Sequence, residues 1–165
     1  MRKNLPVTQQ EYDFPGDETL LSATDLKGRI TYANAAFVRV SGFEYGELLG
    51  KAHNIVRHPD MPPEAYQDLW DTLKQGRSWT AVVKNRRKDG DHYWVRANVA
   101  PVYHQDTLSG YLSVRTKPSR AEIAAAERIC ATFQAGRPAG RFHHGLLMDT
   151  GWRRWRNGMR IQSLR

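Results

Sequence analysis

The chain has 165 residues, of which 40% are hydrophobic and 10% aromatic, and this composition fits one globular domain with a small appendage. Its single cysteine, Cys130, excludes a disulfide framework and a cysteine-based zinc site, and a reducing compartment suits it best. The net charge of +8 lies mostly in residues 137–165, which hold seven arginines and one acid, so residues 1–136 carry only +2.

The first part of the chain predicts a capped hairpin. Residues 1–18 mix polar residues with proline and glycine, which indicates an N-terminal cap that is partly mobile. Two short strands follow at 20–24 and 30–33, joined by a turn that ends at Gly28, where a positive φ is easily adopted. Asn34 then stands where it can cap a helix.

Helical patterns follow the hairpin. Two short segments, 35–40 and 45–49, each end near a glycine. Residues 63–75 carry apolar side chains at helical spacing and predict an amphipathic helix closed by Gly76.

The eight residues 54–61 form a cationic turn directly before this helix. Arg57 offers a planar fork of donors and His58 a further donor, while the helix N-terminus adds free N–H groups. Such a turn is suited to a phosphate. The alternative is an ordinary helix start with Asp60 as its cap.

The apolar period changes to two after the helix. Strands are predicted at 79–87, 91–102 and 108–116, with a tight turn between the first two and a polar loop at 104–107. Ser119 and Glu122 then form a capping box, which predicts an exit helix as far as Ala135. Its apolar stripe could pack on the sheet or on a second subunit.

The element order predicts an α+β fold, a five-stranded antiparallel sheet with small helices over one face. Four regions follow: an N-terminal cap at 1–18, the main domain at 19–117, the exit helix at 118–136 and a basic tail at 137–165 that is rich in tryptophan and arginine.

These elements and their landmark residues resemble the PAS fold. The landmarks are Asp25-x-x-Gly28-x-Ile30-x-Tyr32-x-Asn34-x-x-Phe37, Ser41-Gly42-Phe43, Glu47-Leu48-Leu49-Gly50 and Lys88-Asp89-Gly90 with Tyr93-Trp94. Within that family, the stretches 54–62 and 83–98 are similar to the flavin-binding PAS domain of bacterial aerotaxis transducers. The resemblance covers Thr8 to about Gly151.

The resemblance implies a non-covalent FAD, held between the small helices and the inner face of the sheet, whose redox state reports oxygen or energy supply. It implies nine cofactor contacts: Asn34, Arg57, His58, Asp60, Trp70, Trp79, Asn85, Tyr93 and Arg115. Arg57 and His58 would address phosphates or the ribityl chain, and the Asn85 carboxamide would pair with the pyrimidine edge of the flavin. Trp70 and Trp79 would form flat walls.

Each contact has a structural alternative. Both tryptophans could be core residues, Asn85 could pair with backbone, and Asn34 could act as a cap first and an FAD contact second. Arg115 could stand on the outer face of its strand, because strand residues alternate sides.

Three departures from the light-sensing relatives concern mechanism, and one of them is Val95, which stands where those relatives carry a second asparagine. His53 stands where those relatives carry a reactive cysteine, so a photoadduct there is excluded and light is not the expected input. Arg115 replaces their glutamine. A guanidinium that faces the flavin would favour an anionic form of the ring by charge attraction.

Other classes of function compete with the flavin sensor. A haem sensor would need His53 or His58, because the helix at 63–75 contains no histidine. A cofactor-free PAS dimerisation module is the other alternative. An enzyme is not expected, since neither a nucleophile motif nor a paired-carboxylate signature is found, and a metal bound by His53, His58 and Asp60 is disfavoured because these residues share no helix face.

The tail pattern around Trp152-Arg-Arg-Trp-Arg156 suits single-stranded nucleic acid or an anionic membrane surface, and we favour the membrane. No stretch is apolar enough for a signal peptide or a bilayer span, which predicts a soluble, cytoplasmic chain. The resemblance implies a homodimeric receptor at the inner face of the membrane, whose anchor and signalling domain follow this segment and act on the chemotaxis machinery.

Overall fold

A computed structural model describes residues 3–148 and contains a five-stranded antiparallel sheet. Its strands are β1 (Leu20–Thr24), β2 (Ile30–Ala33), β3 (Trp79–Arg86), β4 (His92–His104) and β5 (Thr107–Thr116). They lie in the order β2-β1-β5-β4-β3, so the last strand pairs with the first. The predicted five-stranded sheet is confirmed.

The join between β4 and β5 is shorter than the predicted polar loop. The strands pair as far as His104 and Thr107, and only Gln105 and Asp106 remain between them. Both turn residues have positive φ, 47° and 61°, which is the conformation of a two-residue hairpin turn whose twist matches the strands.

The helices are α1 (Ala35–Ser41), α2 (Tyr45–Leu48), a 3₁₀ helix (His53–Val56), α3 (Pro63–Lys74) and α4 (Arg120–Gln134). All but α4 pack over one face of the sheet, which we call the inner face, and the main hydrophobic core lies between them. On the outer face, Ile123 and Ala126 of α4 pack against Trp94. The first half of the exit-helix stripe therefore packs on its own sheet, whereas Cys130 lies in the main core beside Met61.

Local signals determine the helix ends. The Asn34 side chain accepts a hydrogen bond from the backbone N–H of Phe37 and so caps α1, which ends at Gly42 with a φ of 72°. Ser119 and Glu122 form the predicted capping box at the start of α4.

Strand alternation separates the two faces of the sheet. Along β4, Tyr93, Val95 and Ala97 point inward and are buried, whereas Trp94 lies under α4 on the outer face. Arg115 shares the inner face, because its β5 position pairs directly with Ala97.

The described part of the N-terminal segment, from residue 3 onward, is attached along much of its length. The Asn4 side chain donates to the backbone carbonyls of Asn54 and Arg57, at 2.8 and 2.9 Å. Further along, the segment pairs with His92 at the start of β4, and Phe14 is buried in the core. The segment thus packs against the turn that carries Arg57.

The region predicted as a basic tail begins with a folded hairpin. Strands β6 (Arg141–His143) and β7 (Leu146–Met148) form a second, two-stranded sheet. The ring of Phe142 stacks on Phe133 of α4, with centroids 5.2 Å apart. The tryptophan-rich part of the predicted tail lies outside the described residues. Within residues 3–148, no helix has both the length and the apolar character needed to cross a bilayer.

Candidate ligand-binding cavity

A cavity of about 250 Å³ lies between the inner face of the sheet and the helices that cover it. One wall comes from the 3₁₀ helix and α3, and the opposite wall from β1, β3, β4 and β5. Its apolar part includes Leu69, Leu73, Val83, Ala97 and Val99, so a flat apolar group can be enclosed with a few polar groups around it.

Arg115 forms the polar floor of the cavity. The residue is only 4% exposed, and its guanidinium donates to the Ser22 hydroxyl at 3.0 Å and to Nε2 of His53 at 2.7 Å. Burial lowers the pKa of Arg115 to about 10, so it remains charged at neutral pH. No aspartate or glutamate lines the cavity among the described residues.

His53 is held as a neutral acceptor. Burial, and then the positive charge of Arg115, lower the pKa of His53 to about 3. Because Nε2 accepts from Arg115, the ring proton is assigned to Nδ1. The imidazole also stacks on Phe37, at 5.9 Å between centroids and 19° between planes.

Several buried donors around the cavity have no partner in the described part of the chain. They are Nε and Nη2 of Arg57, the hydroxyl of Tyr66 and the hydroxyl of Ser113. The Arg57 guanidinium lies 3.6 Å over the Tyr66 ring, which fixes its direction. Burial raises the pKa of Tyr66, so its phenol stays protonated as a donor. Buried donors of this kind are normally satisfied, which indicates a ligand rich in acceptors.

Asn85 brings a carboxamide to the same cavity. It lies on the inner face of β3, is 5% exposed, and its backbone bridges to that of Arg57. A carboxamide presents both a donor and an acceptor, which suits a heterocycle edge that also has both.

The two predicted tryptophans line the cavity in different ways. Trp79 is 1% exposed and its indole N–H donates to Oδ2 of Asp68 at 2.7 Å. Trp70 is less buried; its ring meets Tyr111 edge-on and packs on the turn at Gly28, where a Cβ would come within 3.2 Å of the indole. Both are packed, and both still present a surface to the cavity.

Five of the nine predicted contacts therefore line this cavity: Arg57, Trp70, Trp79, Asn85 and Arg115. The other four lie elsewhere, and each has a physical reason. The Asn34 side chain is fully used, since its oxygen accepts from Leu21 and Phe37 and its nitrogen donates to the Thr19 carbonyl. Tyr93 is a core residue that meets Phe14 edge-on.

His58 and Asp60 belong to a separate buried cluster. Nδ1 of His58 accepts from the backbone N–H of Asp60, whose carboxylate accepts from Lys84 at 2.8 Å. Burial, and then Lys84, lower the pKa of His58 to about 4. The cationic turn therefore divides: the Arg57 side chain lines the cavity, and the His58 side chain does not. No group of three or more His, Cys, Asp or Glu within residues 3–148 could hold a metal ion.

The nine predicted contacts left out several polar residues of the cavity, among them Ser22, Tyr66, Ser113 and His53, the last of which had been considered only as a haem or metal ligand and as the counterpart of a reactive cysteine. Strand alternation could have found two of them. Ser22 lies two residues after the buried Leu20, and it pairs directly with Ser113, two residues before Arg115. His53 and Tyr66 required the relative position of helices, which no local pattern gives.

The fold and the cavity define a small sheet-based module with an enclosed cavity on its inner face. Residues 30–114 match the family model described as the PAS fold. The chain belongs to the PAS-fold family, which is a family of sensory domains and not of enzymes.

Two relatives show which known proteins this chain is similar to. Over 146 residues the chain is 52% identical to the aerotaxis receptor of Escherichia coli strain K12, covering 88% of this chain and 29% of that receptor. It is 35% identical over 96 residues to a nitrogen fixation regulatory protein of Klebsiella pneumoniae, covering 58% of this chain and 19% of that protein. The chain thus spans less than a third of these relatives.

Solved structures agree on the fold. The dark-state LOV domain of the blue-light photoreceptor Aureochrome1 superposes with a TM-score of 0.58 at 21% identity, covering 70% of this chain and 84% of that one. A LOV protein of Rhodobacter sphaeroides gives 0.56 at 24% identity, covering 72% and 73%.

Proposed function

We propose that this domain binds FAD and converts its redox state into a conformational signal within an aerotaxis receptor. One observation carries the proposal: an apolar cavity with aromatic walls has a buried arginine at its floor, and among the described residues no carboxylate lines it and several of its buried donors have no partner. The similarity to the aerotaxis receptor of E. coli supports the receptor class. Bound flavin would supply reversible acceptance of electrons.

The residues of the cavity fit the ring end of a flavin. Its volume of about 250 Å³ lies below the ~300–1,000 Å³ of typical small-molecule sites, so it can enclose the ring system but not a whole dinucleotide. The remainder of an FAD molecule would lie outside this volume. Asn85 would pair with the pyrimidine edge, and Arg57 would bind the ribityl or phosphate oxygens.

Haem fits this cavity less well. Helix α3 carries no histidine, and among the described residues that line the cavity the one imidazole belongs to His53. Its Nε2 already accepts from Arg115 at 2.7 Å. A haem iron would have to displace that hydrogen bond and leave a buried guanidinium beside the metal.

The first experiment is a visible spectrum of the purified chain, followed by denaturation and chromatography of the released chromophore. We expect a two-band flavin spectrum that bleaches with dithionite, and FAD in the released fraction. A Soret band would overturn the proposal in favour of haem. A colourless protein that takes up no flavin on reconstitution would reduce it to an interaction module.

The same proposal extends to the whole receptor. The domain would work as one of a pair, with a downstream signalling domain of the same chain that acts on the chemotaxis machinery. The tail after residue 148, rich in arginine and tryptophan, would contact the anionic inner surface of the cell membrane before an anchor. The short coverage of the relatives supports the idea that this segment is the sensory part of a longer protein.

A further inference from the structure

The tip of the C-terminal hairpin is bound by one carboxylate of α3. Oδ1 of Asp68 accepts from the backbone N–H of His144 at 3.0 Å, and Oδ2 accepts from the N–H of Gly145 at 2.7 Å. His144 and Gly145 have positive φ, 52° and 85°, so the turn aims successive N–H groups at one anion. The hairpin is thereby attached to α3 by both carboxylate oxygens.

The same carboxylate also holds a wall of the cavity. Oδ2 of Asp68 accepts from the indole N–H of Trp79 at 2.7 Å, so the indole and Gly145 share one oxygen. Trp79 is 1% exposed and lines the cavity, whereas Asp68 lies on α3 between it and the hairpin. One side chain, that of Asp68, therefore links a wall of the cavity to the last folded element of the described chain.

The hairpin tip has little freedom to move on its own. A Cβ on Gly145 would overlap the backbone carbonyl of Thr80, which shows how closely the turn lies against β3. The His144 ring lies 3.2 Å from the Thr72 hydroxyl, and Phe142 stacks on Phe133. A shift of the Trp79 indole must therefore change the hydrogen bonds of the tip rather than be absorbed by a loose turn.

We infer that Asp68 is a positioning residue that couples Trp79 to the β6–β7 hairpin, so that the hairpin is the output contact of the cavity. This coupling rests on the proposed function as a flavin sensor, and it is the path by which the signal would pass from the cavity to the hairpin. A change in the redox state of a ring bound beside Trp79 would move the indole and so change its hydrogen bond to Oδ2 of Asp68. Because the N–H of Gly145 donates to the same oxygen, that second hydrogen bond would strengthen or weaken. The hairpin would then be held more or less tightly.

Amide hydrogen exchange at His144 and Gly145, measured in oxidised and reduced protein, tests this coupling. The full chain is used, and flavin content and reduction are read from the visible spectrum of the same sample. In the unaltered protein we expect the exchange rates at these two amides to differ between redox states. Trp79→Phe removes the indole donor and keeps an aromatic ring, so the difference should vanish in the fraction of this variant that binds flavin, which the visible spectrum of the same sample measures.

Asp68→Asn removes the negative charge to which both amides of the turn donate. The exchange rates of these two amides should therefore rise roughly five- to tenfold in both redox states, which corresponds to the free energy of about one hydrogen bond. Asp71→Asn is the matched control, because Asp71 lies on the same helix but bonds only Gln67 among the described residues. It should retain the redox-dependent difference.

The failures can be told apart. A protein that binds and reduces flavin, yet shows the same exchange at both amides in both states, overturns the coupling and leaves the sensor proposal intact. The coupling is likewise overturned if Trp79→Phe keeps the full redox difference. A protein that binds no flavin overturns the sensor proposal, and the coupling falls with it.

Discussion

Two buried basic clusters differ in how their charges are balanced. In the cavity, Arg115 donates to His53 and Ser22, and no carboxylate lines the wall in the described chain. In the second cluster, Lys84 pairs with Asp60 at 2.8 Å, beside the fully buried His58. The charges of the second cluster are paired within the protein, although Nε2 of His58 has no hydrogen-bond partner among the described residues, whereas the cavity holds a buried cation without a counter-charge and several unpartnered donors. That difference distinguishes a structural cluster from a ligand site, although both contain the same residue types.

The largest expected effect is acid destabilisation, which both clusters share. His53 and His58 are neutral in the folded protein with pKa values of about 3 and 4, below the ordinary value of 6.5. The unfolded chain binds these protons first, so stability is fully present above pH 6.5 and is lost as pH falls towards 4. Each histidine contributes up to about 1.4 kcal/mol per pH unit in this window.

Urea unfolding between pH 7.5 and 4.5, followed by circular dichroism, measures this slope. His58→Gln should flatten it, because it removes one of the two buried imidazoles. His104→Gln, at the exposed β4–β5 turn, should leave it unchanged. A free energy of unfolding that stays constant down to pH 4.5 would contradict the neutral state of both rings in the folded protein.

The next effect separates the clusters. Asp60→Asn leaves the buried Lys84 without its counter-charge, and we expect a loss of about 1–3 kcal/mol in the free energy of unfolding, since a broken ion pair strands its partner. The flavin spectrum should not change. Adding Lys84→Met to this variant should restore part of the stability. If Asp60→Asn instead removed the flavin, the second cluster would belong to the ligand site.

The sequence predicts most of the fold because the hydrophobic patterns have clear periods and extend over many residues. The five strands, α3 and the capped α4 all follow from period two, period 3.6 and the Ser119–Glu122 box. The site is harder, since adjacent residues of an irregular turn obey no period. Arg57 and His58 are neighbours with the same expected role, and only the turn geometry sends one side chain into the cavity and the other away from it.

The terminal segments were the least predictable parts. Asn4 is held by two backbone carbonyls, which leave no trace in a side-chain pattern. The hairpin from Arg141 to Met148 has strands of only three residues, and its turn depends on Asp68, more than 70 residues earlier. Both segments are specified by distant contacts rather than by local propensity.

A smaller effect concerns the charge of the cavity floor. Arg115→Gln removes a buried cation that would favour added electrons on the ring, so the flavin midpoint potential should fall by tens of millivolts, with ~1.4 kcal/mol of lost attraction giving about 60 mV for one electron. Spectroelectrochemical titration measures it. Arg96→Gln, which makes the same charge change on the outer face beside Glu122, is the control and should shift the potential far less. Equal shifts would indicate a general charge effect instead of a cavity one.

The smallest effect tests whether the unpartnered donors serve a ligand. The Ser113 hydroxyl is buried without a partner in the described chain, so Ser113→Ala should leave the stability of the flavin-free protein within about 0.5 kcal/mol or raise it. Flavin affinity should fall about three- to tenfold, because the hydroxyl would then be missing from the complex. Ser109→Ala, whose hydroxyl donates to the Val102 carbonyl on the exposed end of the sheet, should change neither binding nor potential. Equilibrium titration of the flavin-free protein separates the two variants. Unchanged affinity in Ser113→Ala would mean that this donor is satisfied in some other way, and that the ligand site is confined to the side of the cavity lined by Arg57 and Arg115.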